Sequence, residues 1–266
     1  MISTATPANV IQGARFWLAA YLAGTGVILV TSGHLWLVGL HLIVIALVMR
    51  WGDLVALVVA PLLYGEIPAL IAAVGTAYHD ATVQAWEQAV FGTQPSQTLA
   101  GHLPYAALSE LLHAGYLSYY LAIFIPPLLL LAYGERRGIS QTVLALTITY
   151  VVCWAIFIAF PVQGPRYLWS APADVPAGPI RSMATHILAA GSSRGAAFPS
   201  SHMAVTVTQA MLAWRWQRPV AWALAVVALL VGCGAVYAGF HYAVDMVVGA
   251  ALGTLVSFSV LATSKR

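Results

Sequence analysis

Three short segments collect residue types that can handle a phosphate. Phe198-Pro199-Ser200-Ser201-His202 reads as a helix start. A serine cap, the free N–H groups of a first turn and the positive end of the helix dipole together make a site for an anion, with His202 beside it. Phe240-His241-Tyr242-Ala243-Val244-Asp245 spaces a histidine and an aspartate four residues apart, which makes them neighbours on one helical face. Asp245 can then accept a hydrogen bond from one ring nitrogen of His241, fix its tautomer and leave the other nitrogen as nucleophile or base. Phe160-Pro161-Val162-Gln163-Gly164-Pro165-Arg166 closes an apolar run on Arg166, whose planar guanidinium suits phosphate oxygens. Any one of these segments alone is a weak signal; their weight depends on whether the fold brings them together.

The composition says what must position them. With 61% hydrophobic and only 7% charged residues in 266, the chain lies far outside the soluble range, and its solvent is largely lipid. A net charge of +3, with eleven Lys and Arg at helix ends instead of in a patch, argues against a nucleic-acid partner. Cys153 and Cys233 sit in apolar runs without metal-like spacing and read as small core residues. A spanning helix needs roughly 20 apolar residues. About eight segments qualify or nearly so, at residues 16–32, 35–50, 54–76, 105–133, 140–161, 199–214, 219–238 and 241–262. The expected fold is therefore an all-α integral membrane protein, with an N-terminal helical hairpin over residues 1–52 and a six-helix catalytic core over 53–266. The first apolar run lacks a small-residue cleavage site after it and is read as a retained helix.

Positive charge orients the spans, because Lys and Arg near span ends stay in the cytoplasm. With eight spans, Arg15, Arg50, Arg136, Arg137, Arg215, Arg218, Lys265 and Arg266 all fall on one face and both termini are cytoplasmic. Arg166, Arg181 and Arg194 fall on the other face, in the long loop between spans five and six. An anion-binding site at that extracytoplasmic surface would require such misplaced charge. All three phosphate-handling segments reach the same face. A second outer loop, about residues 78–102, carries Trp86 and Phe91 among polar residues and reads as an amphipathic helix lying in the interface.

With those residues assembled, the chain resembles the phosphatidic acid phosphatase type 2 superfamily over about residues 53–262. In that superfamily a phosphate-binding Arg, a P-S-x-H segment and an H-x-x-x-D segment line one site. The resemblance implies that His241 attacks phosphorus to give a phosphohistidine, that Asp245 orients it and that His202 protonates the departing oxygen. Arg166, Ser200 and Ser201 would hold the phosphoryl oxygens. It also implies catalysis without metal or cofactor, on a phosphorylated lipid drawn from the surrounding membrane lipids. The chain departs from the common pattern where Ala159 replaces a Lys and Gly234-Ala235 replace Ser-Arg, so two expected cations are missing. The G-P-R, P-S-S-H and A-G-F-H-Y-x-x-D segments, with W-E-Q-A-V-F-G-x-x-P-S and S-E-L-L-H-A-G-Y-L-S-Y-Y, look more like the branch that includes inositol phosphorylceramide synthases. Fewer cations suit a phosphodiester, which carries −1 where a monoester carries about −1.5 to −2. The lean is toward phospholipid-headgroup transfer, against a phosphomonoesterase on phosphatidate or an isoprenyl (di)phosphate, since Arg181 or Arg194 can restore the missing charge from the loop.

Glu110, His113 and Tyr116 recur every three residues near the outer end of span four, and either meet the headgroup or acceptor or form a polar seam between helices. Glu66, between Pro61 and Pro68, is either a buried pair with another helix or part of a polar cavity. Gly191-Ser192-Ser193-Arg194-Gly195 matches a nucleophile elbow, but no strand precedes it and no histidine follows the downstream acid. A transporter is the non-enzyme alternative, on the strength of Glu66 and His41 inside spans; polar groups gathered at one face instead of the midplane count against it.

Overall fold

The computed structural model describes residues 7–170 and 177–263, so Lys265 and Arg266 lie outside the described residues. With no water in hydrocarbon, an apolar chain must satisfy its backbone internally, and the described residues are helical almost throughout. The helices are α1 (Pro7–Thr31), α2 (Leu35–Trp51), α3 (Asp53–Leu62), α4 (Ile67–Val74), α5 (Asp80–Phe91), α6 (Pro95–His102) and α7 (Ala106–Leu117). They continue as α8 (Tyr119–Ala132), α9 (Arg136–Ala159), α10 (Pro179–Gly191), α11 (Ser201–Trp216), α12 (Arg218–Tyr237) and α13 (Ala243–Thr263).

Each of the eight expected segments is helical, but among the described residues only five helices are long and apolar enough to cross a membrane. These are Gly13–Thr31, Leu54–Val74, Arg136–Ala159, Arg218–Tyr237 and Ala243–Thr263. A sixth is gained if α7 and α8, bent by 43° at Ser118, form one span. Ser118 Oγ donates to the Gly115 carbonyl at 2.5 Å, and such back-bonding bends helices. The count of eight is not reached because α2 has 17 residues and α11 has 16, about 25 Å of helix against roughly 30 Å of hydrocarbon. The third segment is also broken. Leu63–Glu66 tightens into a 3-10 turn between α3 and α4, flanked by Pro61 and Pro68, where proline removes backbone donors. The stretch at 78–102 is two helices, α5 and α6, separated at Gly92, where the backbone is left-handed.

Helix α9 runs through the middle of the bundle, against α1, α3, α4, α8, α11 and α13, and buries Trp154 and Phe157 in the main core. Cys153 is buried there as expected, whereas Cys233 is exposed on α12 and is not a core residue. Helix α13 meets α11 through Gly249 and Gly253. A Cβ at Gly249 would stand 2.5 Å from the Ser200 carbonyl, and one at Gly253 would collide with the Ala204 carbonyl. This small-xxx-small contact draws the first turns of α11 and α13 side by side, which is where the P-S-S-H and H-x-x-x-D segments lie.

Candidate functional site

The rings of His202 and His241 stand 5.6 Å apart, centroid to centroid, at 67°. His241 is not on the helix. It sits in the turn before α13, because the backbone closes there: Asp245 N donates to the Tyr242 carbonyl at 3.1 Å and Tyr242 N donates to Asp245 Oδ2 at 2.8 Å. The expected contact forms nonetheless, with His241 Nδ1 at 3.3 Å from Asp245 Oδ2 and 2.9 Å from the Ala197 carbonyl. Both are acceptors, so Nδ1 carries the proton and Nε2 keeps the lone pair. Asp245 is fully buried, and its own carbonyl accepts from Ser200 N at 3.1 Å, tying the two helix starts together.

Ser200 caps α11, its Oγ accepting from Met203 N at 3.3 Å. His202 follows in the first turn, with Nε2 at 3.0 Å from Tyr116 OH and with Nδ1 buried without a partner. Arg166 lies in a short 3-10 turn, Pro165–Tyr167. Its Cζ is 5.0 Å over the Tyr167 ring, and its buried Nη1 has no partner among the described residues. His202, His241, Ser201, Tyr116 and Arg166 line one cavity of about 350 Å³.

The remaining sequence-predicted residues separate. Ser200 is buried as a cap and does not line the cavity. Arg194 donates through Nε to Gln163 Oε1 at 2.6 Å and lies over the Tyr78 and Tyr167 rings, touching the cavity's wall residues Gln163 and Tyr167 without lining the cavity itself. Arg181 and His113 line a neighbouring chamber instead. Glu110 accepts from the backbone N–H groups of Ile180 at 2.8 Å and Arg181 at 3.0 Å, so its carboxylate caps α10. Glu66 resolves as a buried pair: His41 Nε2 is 2.6 Å from its Oε2, and Tyr21 OH donates to its Oε1 at 3.0 Å. Ser193 donates to the Tyr64 carbonyl at 2.8 Å. Gly234 packs against the Leu112 carbonyl and Ala235 is fully buried, so α12 meets α7 where a Ser-Arg pair would need room.

Sequence reasoning missed the residues that hold the site together. Asp80 Oδ2 and Oδ1 accept the backbone N–H groups of Gln163 and Gly164, each at 3.0 Å, and Oδ1 also accepts from Tyr242 OH at 3.1 Å. One carboxylate thus fastens the turn carrying Arg166 to the residue after His241. Glu87 Oε1 accepts from Ala243 N at 2.6 Å and caps α13, while Oε2 accepts from Ser96 Oγ at 3.4 Å. Burial pushes the Glu87 carboxyl up to about 7. The available signal was the seven-residue spacing of two carboxylates on one face of an amphipathic helix. The loops are knit further by Val162 N donating to Gly195 O and Ala197 N to Val162 O, each at 3.0 Å. Phe160 stacks on His79 at 4.1 Å and on Trp86 at 5.7 Å.

The chain is thus a membrane-type helical bundle in which two imidazoles and a guanidinium line one cavity. The family profile of the PAP2 superfamily matches residues 81–259, and the chain belongs to that superfamily. No curated protein and no solved structure matches the chain significantly. Members of the superfamily are usually phosphatases or phosphotransferases.

Proposed function

We propose that the chain transfers the phosphoryl group of a membrane lipid through a phosphohistidine at His241. The carrying observation is that both imidazoles and Arg166 line one cavity, with the rings close enough to touch one tetrahedral phosphorus. His241 Nε2 attacks phosphorus as the bond to the leaving oxygen breaks, and His202 gives that oxygen a proton. Water or an acceptor hydroxyl then attacks phosphorus, returns a proton to His202 and frees His241. Asp245 and the Ala197 carbonyl hold the His241 tautomer, and Arg166 and Ser201 bind the phosphoryl oxygens. Val58, Pro61, Leu62, Ile123, Phe124 and Trp154 give the same cavity apolar walls that suit a lipid tail.

Arg166 is the one guanidinium that lines this cavity among the described residues, which suits the single charge of a phosphodiester better than a monoester. The reading therefore leans to headgroup transfer like that of inositol phosphorylceramide synthases. Helix α9 fixes the topology in this reading. Arg136 and Arg137 begin it, about 36 Å from the site at its other end, and Arg137, Arg215 and Arg218 line a cleft there. That end is cytoplasmic by the positive-inside rule, so in this reading the site at the other end of α9 is extracytoplasmic.

The test offers labelled phosphatidate, an isoprenyl phosphate, and phosphatidylinositol with ceramide to the protein in detergent. Released phosphate marks a phosphatase and a new labelled lipid marks a transferase. His241→Ala is expected to abolish turnover and His202→Ala to reduce it by about 10²–10⁴-fold. Vanadate, which mimics phosphorus under attack, is expected to inhibit. Full turnover in both variants would overturn the mechanism.

A further inference from the structure

The ring of His202 lies against those of Tyr116 at 4.9 Å, Tyr119 at 4.3 Å and His241 at 5.6 Å, centroid to centroid. Both tyrosines carry a hydroxyl, and one of these reaches the imidazole. Tyr119 OH lies 3.2 Å from Tyr150 OH, whereas Tyr116 OH lies 3.0 Å from His202 Nε2 and has no other hydrogen-bond partner among the described residues. His202 Nδ1 is buried without a partner among them. Nε2 is thus the ring nitrogen of His202 in contact with a group that can pass a proton, and that group belongs to Tyr116, which lines the reaction cavity together with His202 and His241.

Packing puts the phenol there. Helix α7 lies against α12 at two glycines: a Cβ on Gly115 would stand 2.6 Å from Leu230 Cβ, and Gly234 leaves no room for one beside the Leu112 carbonyl. Close approach through small residues is how helices hold their register in lipid. Tyr116 follows Gly115 on the buried face of α7, 2% exposed, with its ring 4.9 Å from that of Phe240. Phe240 immediately precedes His241, so Tyr116 is seated against both segments that carry an imidazole.

We propose that Tyr116 relays the proton between His202 and the oxygen that leaves phosphorus. The inference rests on the His241 reading and specifies how His202 acts in it. A phenol hydroxyl can accept one hydrogen bond while donating another, as a relay requires. The bound phosphoryl anion favours a doubly protonated His202, which donates from Nε2 to the phenol oxygen. As His241 Nε2 attacks and the bond from phosphorus to the leaving oxygen breaks, the phenol proton passes to that oxygen and the Nε2 proton passes to the phenol. Tyr116 ends as a neutral phenol donating to the bare Nε2, and His202 ends neutral with its proton on Nδ1. When water or an acceptor hydroxyl attacks the phosphohistidine, both protons move the other way and His202 is charged again.

The experiment gives the full chain in detergent two diesters of equal charge. Hexadecyl para-nitrophenyl phosphate loses a nitrophenolate, which needs no proton to leave, whereas dihexadecyl phosphate must lose a primary alcohol, which does. Tyr116→Phe keeps the ring packed and breaks the relay. It is expected to lower kcat by about 10²-fold on the dialkyl ester and by no more than about tenfold on the nitrophenyl ester. His202→Ala is expected to show the same selectivity, and the double variant to be no worse than His202→Ala alone, because the two act as a unit. In mixtures of light and heavy water, two protons in flight make the wild-type rate on the dialkyl ester a curved function of deuterium content; this measurement needs no variant, and a straight line overturns the relay. Equal losses on both esters in Tyr116→Phe, or none, with His202→Ala still selective, also overturn it and leave His202 as the direct acid. Turnover that survives His241→Ala, or a wild type that accepts neither ester, sinks the His241 reading and the relay with it.

Discussion

Arg166 shows how much of this site depends on side-chain shape as well as charge. Its guanidinium rests over the Tyr167 ring at 5.0 Å, the residue lines both cavities, and its buried Nη1 has no partner among the described residues. A buried donor without a partner is costly unless a ligand supplies one. Lysine keeps the charge but loses the planar fork and the stacking. Arg166→Lys is expected to lower kcat/KM on a phosphorylated lipid by about 10–10²-fold, the loss of one charge-assisted hydrogen bond; steady-state kinetics would show it, and unchanged kinetics would remove Arg166 from phosphoryl binding. Tyr116 has a narrower part, since its hydroxyl lies 3.0 Å from His202 Nε2.

Among the elements, α5 does what its sequence did not announce. Asp80, Val83 and Glu87 are buried on one face while Val90 and Phe91 are exposed, so the carboxylates point inward and take the N–H groups of the Arg166 turn and of α13. Asp80→Asn keeps one acceptor oxygen and loses the other, and is expected to cost about 1–3 kcal/mol of stability, measured by chemical unfolding in detergent. Glu87 titrates near neutrality because burial raises it from an ordinary 4.5 to about 7. A folded pKa above the unfolded one means that the native state binds the proton more tightly. Its contribution to stability is therefore complete below about pH 4.5 and lost as pH rises through about 7. Relative to Glu87→Gln, the wild type is expected to lose unfolding temperature across that window, and parallel curves would refute the shift. The motifs were legible because His, Asp and Arg are conspicuous in an apolar chain and positive charge gave their common face. The inward turn of α5 was not, because D-A-T-V-Q-A-W-E is equally consistent with a polar face toward water. The bend at Ser118 and the turn that takes His241 off its helix depend on individual hydrogen bonds that periodicity does not encode.

At the scale of the whole molecule, the question is what ties the N-terminal hairpin, outside the matched family region of 81–259, to the site. The buried network of Tyr21, His41 and Glu66 joins α1 and α2 to the 3-10 break, with His41 Nδ1 also 3.0 Å from the Leu22 carbonyl. In the same turn the Tyr64 carbonyl accepts from Ser193 Oγ at 2.8 Å and Tyr64 OH accepts from Ser193 N at 3.2 Å. Four residues past Ser193, beyond the turn at Arg194-Gly195, lies Ala197, whose carbonyl is the acceptor of His241 Nδ1. Glu66 and His41, on which the transporter reading stood, are paired with each other in this network. His41 and Glu66 are almost completely buried, so removing one partner strands the other. His41→Leu is expected to destabilise by about 3–5 kcal/mol, whereas replacing both partners by leucine recovers most of that, as it does for buried pairs elsewhere. Unfolding of the single and double variants in detergent gives the coupling energy. A double variant as unstable as the sum of the singles would mean that the pair contributes nothing as a pair, and that packing alone holds the hairpin to the core.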